Sequence, residues 1–147
     1  MVNIQHEDTL INNFLLLSRQ YCIKNIHIEK DKKSNHMDCE FTLKNKEYIR
    51  VEAKTFKDSR NYSQNFIKIF GGILKGRNLP LAYSKNNYPV YYGIMIDLED
   101  FEKFKRYKQT INNIDWLNFS RNYDAKYIFV VSKNKIFIYD WDEIEIQ

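Results

Sequence analysis

The chain has 147 residues, 44% of them hydrophobic and 16% aromatic, which suits one domain around one core. Four Gly and two Pro exclude a turn-dense all-β sandwich, and two Cys exclude a disulfide framework, so both thiols read as small buried hydrophobes of a reducing compartment. A formal net charge of +4 is compatible with a polyanionic partner without demanding one, and no apolar run approaches the roughly 20 residues of a membrane span. Met1 to Asp8 lacks the basic region of a secretory signal, so the expectation is a soluble, cytoplasmic protein with no membrane partner.

Residues 6–22 predict a helix: Leu10, Phe14, Leu17 and Tyr21 form one stripe, widened by Ile11, Leu15 and Cys22. Glu7 stands at the start of that stripe. It is either a charge favouring the helix N-terminus or a carboxylate with a chemical task, and both readings stay open. Residues 23–29 predict a short strand, with Ile26 and Ile28 on one face, followed by a charged connection over 30–35.

Two strands then follow in a hairpin. Cys39, Phe41 and Leu43, then Ile49, Val51 and Ala53, are apolar at odd positions; Asp38, Glu40 and Thr42, then Arg50, Glu52 and Lys54, are polar at even ones. The alternation assigns the odd set to the core and the even set to an open face. For the apolar sets to share a face, opposed residues need numbers of the same parity, hence an odd-numbered loop within 44–47. That register brings Asp38 near Glu52 and Lys54, two carboxylates and an ammonium on one surface. Cross-strand charge pairs on a solvated sheet give the same pattern and contribute roughly 0.2–1 kcal/mol each.

Beyond the hairpin, Asp58 or Ser59 suits a helix cap, and residues 60–75 predict a helix with Phe66, Ile67, Ile69, Phe70, Ile73 and Leu74 over a broad face. Gly71-Gly72 inside it points to a kink or a close approach to the sheet, and Gly76 suits the C-cap; the glycines do not have phosphate-loop spacing. Lys75, Arg77 and Lys85, interleaved with Tyr83, suit either nucleic-acid contact or a solvated loop. Val90 to Ile96 predicts a buried strand. Asp97 caps a helix to about Asn113 with Leu98, Phe101, Phe104, Lys108 and Ile111 near one face, and residues 114–122 suit a further short helix. A hairpin, Tyr127 to Val131 and Ile136 to Tyr139, closes the chain, with 140–147 as a tail or last strand. His6, His27 and His36 lack zinc-ligand spacing, and the two Cys form no Cys-x-x-Cys pair.

The order helix, strand, strand, strand, helix, strand, with Asp38 opening the second strand and Glu52-Ala53-Lys54 ending the third, resembles the PD-(D/E)XK nuclease superfamily. That group includes restriction endonucleases and Holliday-junction resolvases. The resemblance covers about two thirds of the chain and implies an α/β (α+β) fold: an αβββαβ core over about 6–97, a mixed central sheet flanked by helices, and a C-terminal helix and hairpin over about 98–147, all in one domain. It implies that Asp38 and Glu52 are metal ligands, that the Ala53 backbone carbonyl is a further ligand, and that Lys54 is the catalytic lysine. Glu7 resembles the first-helix glutamate that some subfamilies place beside the metal. Met37 stands where the motif's proline would be, and Lys68 stands where the RecB-like branch, suggested by Gln64, would want a tyrosine.

The resemblance further implies a Mg²⁺- or Mn²⁺-dependent phosphodiesterase or endonuclease acting on DNA in preference to RNA, in restriction, repair, recombination or phage and plasmid defence. Two carboxylates suit Mg²⁺, which takes one or two of them with water and phosphate oxygens. A dimer or partner contact through 98–140, anchored by Phe101, Phe104 and Tyr107, fits a protein this small. The alternative is a non-catalytic binding module of the same fold that occupies a host defence or nucleic-acid-processing complex.

Overall fold

The computed structural model describes residues 2–29, 37–56, 62–83 and 85–144, with side chains from residue 7 onward except that of Tyr62. The charged connection 30–35, the cap at Asp58 or Ser59, His36 and the side chain of His6 lie outside the described residues. Among the described residues, four α-helices surround one six-stranded mixed sheet: α1 (Val2–Leu17), α2 (Tyr62–Gly76), α3 (Phe101–Lys108) and α4 (Asn113–Tyr123). The strands β1 (Lys24–Ile28), β2 (Cys39–Thr42), β3 (Tyr48–Lys54), β4 (Val90–Asp97), β5 (Ala125–Val131) and β6 (Ile136–Asp140) lie side by side in chain order. β1, β2 and β3 alternate in direction, β3, β4 and β5 run parallel, and β6 returns antiparallel to β5. The α+β class, with helices flanking a mixed sheet, is as expected.

The hairpin adopts the register that its alternation demands, with Cys39 opposite Val51 and Phe41 opposite Ile49. The Leu43 N–H donates to the Glu47 carbonyl at 2.9 Å and closes a three-residue loop. Lys46 ends that loop in the left-handed region at φ 66°, the conformation such loops commonly require.

β3 has a helix on each side, and the core is therefore double. On one face Leu10, Ile11, Phe14 and Leu17 of α1 pack against Cys39, Phe41, Ile49, Val51, Ala53 and Phe129. Leu15 and Cys22, expected in that stripe, are exposed. Leu15 lies past the edge of the stripe. Cys22 follows a 3-10 turn (Ser18–Tyr21) and takes a left-handed conformation that carries it off the α1 face. Only Cys39 is a buried thiol.

The connection between parallel strands β3 and β4 has to cross the sheet, and α2 makes that crossing on the second face. Phe66, Ile69 and Ile73 pack there with Ile94, Ile96, Ile128 and Val130. Ile67 and Leu74, expected on the same apolar face, point outward at 67% and 40% exposure. Gly76 is not a left-handed cap. It is the last residue of α2, where a Cβ would collide with the Met37 thioether.

The helix expected from Asp97 to about Asn113 is broken. The Asp97 side chain accepts from the Glu99 N–H and caps a 3-10 turn (Leu98–Asp100); α3 follows, and Asn112 caps α4 by accepting from the Ile114 N–H. Residues 98–144 are no appendage, because β5 extends the parallel part of the sheet and Phe104, Trp116 and Trp141 fill the second core. Trp116 and Trp141 stack at 4.2 Å, and each indole N–H donates to the other's carbonyl. The reciprocal bonds pin a 3-10 turn (Trp141–Glu143) where a tail or strand was expected. Phe104 is fully buried, while Phe101 and Tyr107 are half-buried and stack on Tyr139 and Phe56, so the expected partner anchors pack within the chain.

Candidate active site

The site forms where the β2–β3 ladder opens. Paired strand begins at Cys39, and Asp38 occupies the bend before it. Met37 departs from the alternation and turns into the second core beneath Gly76. Asp38 is fastened twice. Its Oδ2 accepts from the Ala53 N–H at 3.0 Å, and its carbonyl accepts from the Glu29 N–H at 3.0 Å. The Tyr48 N–H donates towards β4, to the Pro89 carbonyl, so odd-numbered residues of β3 aim their N–H and C=O groups towards β2. The Ala53 carbonyl therefore opens on the Asp38 side.

Glu52 is buried beside the other charges of the cluster. Its carboxylate lies against α2 at Gly72, where a Cβ would collide with it. Burial, and then the charge of Asp38, push the Glu52 carboxyl up to about 8; Glu7 adds to the rise, and Lys54 and Lys75 oppose it. Glu7, Asp38, Lys54 and Lys75 are thus all within electrostatic reach of Glu52. Lys54 forms no salt bridge with a described residue. The backbone after it is held firmly: Asn65 donates to the Thr55 carbonyl at 2.9 Å, the Phe56 N–H donates to buried Asp100 at 3.0 Å, and Lys103 donates to the Phe56 carbonyl at 3.3 Å.

The even-numbered face is not open. Glu40 and Arg50 are 0% and 1% exposed, because α2 and the chain after it cover them. Their charges meet at 3.2 Å without an aligned hydrogen bond. Glu40 Oε1 accepts from the Tyr48 hydroxyl at 2.6 Å and from the Ala82 N–H at 3.0 Å. Arg50 donates to the carbonyls of Gly76, Leu79 and Pro80 and to the Tyr92 hydroxyl. These two charges fasten residues 76–82 to the sheet. The signal for them was the topology: a crossover helix after β3 must cover whichever face the first helix leaves bare.

The residues expected to contact nucleic acid have different surroundings. Arg77 is engaged within the chain. It donates to the Tyr123 carbonyl at 2.7 Å, pairs with Asp124 at 3.2 Å and lies over the Tyr92 and Tyr123 rings. The Tyr83 ring and Lys85 are exposed, and the Tyr83 N–H donates to the Tyr48 hydroxyl. Lys75 is exposed on α2 and belongs electrostatically with Glu52.

Among the described residues, no group of three or more His, Cys, Asp or Glu side chains is arranged to hold a metal ion. Mg²⁺ needs fewer: one or two carboxylates, with other oxygens completing the shell. Asp38, Glu52 and the Ala53 carbonyl supply only hard oxygen donors, and the Gly72 seat leaves the Glu52 carboxylate in a region where an unneutralised charge is costly. That donor set suits Mg²⁺ or Mn²⁺. No protein-family model, curated protein or solved structure matches the chain significantly. No helix among the described residues is long and apolar enough to cross a membrane.

Proposed function

We propose that the protein is a metal-dependent nuclease that hydrolyses phosphodiester bonds, of DNA in preference to RNA, in the cytoplasm. One observation carries the reading: Asp38 is fastened to the backbone of Ala53, between Glu52 and Lys54, at the open end of the hairpin. The order of elements from α1 to β4, which resembles the PD-(D/E)XK superfamily, supports it.

Asp38, Glu52 and the Ala53 carbonyl would hold Mg²⁺ or Mn²⁺, with Glu7 adding negative charge from α1. The bound ion supplies Lewis acidity towards the scissile phosphate. Lys54 Nζ orients the attacking water and takes its proton when deprotonated, or donates to the phosphate oxygens when charged. The clamp on Thr55 and Phe56 fixes the end of β3, so Lys54 is presented from a rigid strand.

The test is incubation of purified protein with plasmid, single-stranded DNA and RNA, in Mg²⁺, Mn²⁺ or chelator, beside Lys54→Met. Metal-dependent cutting that disappears in a folded Lys54→Met protein is the expected result. Cutting at the wild-type rate by Lys54→Met removes the lysine from the mechanism. Tight binding without cutting favours the non-catalytic module.

A further inference from the structure

α2 carries two adjacent glycines in its interior, and both weaken a helix relative to alanine. Only one of them is explained by packing. Gly72 seats the Glu52 carboxylate. Among the described residues nothing lies within 4 Å of where a Cβ on Gly71 would stand, and Gly71 is exposed. Nothing described in the chain itself requires a missing side chain there, and the helix surface at Gly71 is open to a neighbour from outside the chain.

The neighbours of Gly71 indicate what that is. Gln64, Lys68, Gly71 and Lys75 follow one another at spacings of four, three and four residues, which places them on one exposed face of α2. Gly72 lies one step inward, so this face runs alongside Glu52. Neither Lys68 nor Lys75 forms an ion pair with a described residue. The result is bare helix backbone between two ammonium groups, beside the carboxylates of the site, with Lys54 at the adjacent strand end. Lys68 and Lys75 are seven residues apart, about 10 Å along a helix, which matches roughly three nucleotides of a strand at 3.4 Å each. Protein interfaces are depleted in lysine at their centres, whereas the two lysines are central here.

We infer that this face of α2 is the track for the sugar-phosphate backbone of one nucleic-acid strand, with Lys68 and Lys75 on phosphates flanking the one at Glu52 and Gly71 letting the strand lie against the helix. The identity of the ligand rests on the nuclease reading; the track itself rests on Gly71 and the two lysines.

The test is fluorescence anisotropy with a labelled single-stranded oligonucleotide of about 12 nucleotides in chelator, where no metal-dependent turnover occurs. Gly71→Gln should melt no lower than wild type, because glutamine is the better helix former, yet bind about tenfold more weakly because its side chain occupies the track. Lys68→Ala/Lys75→Ala should flatten the slope of log affinity against log salt by about 1.4, roughly 0.7 for each lost phosphate contact. Lys133→Ala, in the exposed β5–β6 turn, should leave the slope unchanged. If wild type cuts DNA with Mg²⁺ while Gly71→Gln and the double-lysine variant bind like wild type, the track is wrong and the nuclease reading stands. If the variants bind weakly but wild type never cuts, the track stands and the nuclease reading falls. A wild-type protein that binds no strand overturns the track.

Discussion

Glu52→Gln should make the metal-free protein more stable in mild alkali, not less. Burial and the Asp38 charge raise the Glu52 carboxyl from 4.5 to about 8 in the folded chain. Below about pH 4.5 folded and unfolded chains both carry the proton, and the group has no effect on stability. Between 4.5 and about 8 the unfolded chain ionises while the folded chain keeps its proton, so the folded state binds more protons and stability falls as pH rises. Above about 8 the cost is fully developed. At about 1.4 kcal/mol per pK unit it is on the order of 3–5 kcal/mol, a large share of the roughly 5–15 kcal/mol typical of a domain. Glutamine carries no charge and escapes the whole cost. Urea melts in chelator should therefore show the two proteins alike near pH 4 and the variant ahead by about 1–2 M in midpoint near pH 8.5. A divalent cation at about 100 times its dissociation constant should return about 2.7 kcal/mol to wild type in alkali and nothing to the variant. A variant less stable than wild type near pH 8.5, or parallel stability curves across the range, would refute the assignment of Glu52 as a buried, charge-crowded carboxylate.

Other substitutions probe the parts that hold the site. Arg50→Met leaves Glu40 buried without its guanidinium and should cost about 3–5 kcal/mol in a urea melt, whereas Glu40→Gln/Arg50→Met together should cost clearly less than Arg50→Met alone. Gly71→Ala should raise the midpoint by the helix propensity of alanine, about 1 kcal/mol, while Gly72→Ala displaces the Glu52 carboxylate and should forfeit that gain and weaken Mg²⁺ binding by calorimetry. Asp100→Ala strips the buried acceptor from the Phe56 N–H and should cost about 1–3 kcal/mol, with Asp100→Asn recovering part of it in the same melt.

The hairpin was the most legible part of the sequence, because strict alternation over two strands admits one parity of pairing, and that parity alone brings Asp38 level with Glu52. The α1 stripe, α2 and the last hairpin were legible in outline: Leu10, Phe14 and Leu17, then Phe66, Ile69 and Ile73, are buried at helical spacing, whereas Leu15, Ile67 and Leu74 broaden the apolar pattern beyond the face that is covered. The fate of Glu40 and Arg50 was not. Alternation separates two faces but does not say whether the polar one meets water or a second helix layer. The answer depends on β4 pairing parallel to β3, which forces α2 across that face. The further helix over 114–122 is α4, but the break before it begins at Gln109 rather than at about Asn113, a shift hidden because no Gly or Pro marks it; Gln109 to Asn112 turn through backbone bonds and the Asn112 cap. Arg77 reads in the sequence as a cation for nucleic acid or for water because its partners, Tyr123 and Asp124, lie far along the chain at the end of α4.

The most direct measurement is single-turnover cleavage of a labelled DNA in Mg²⁺ by wild type and Asp38→Asn, at protein concentrations that saturate binding. Asparagine keeps an oxygen to accept the Ala53 N–H, so the fold and the hairpin opening persist while the ligand charge is lost. Wild type should cut, whereas Asp38→Asn should bind equally well, melt normally and not cut. Cutting by Asp38→Asn at the wild-type rate, or no metal-dependent cutting of any nucleic acid by folded wild type, would contradict a metal-dependent nuclease centred on Asp38.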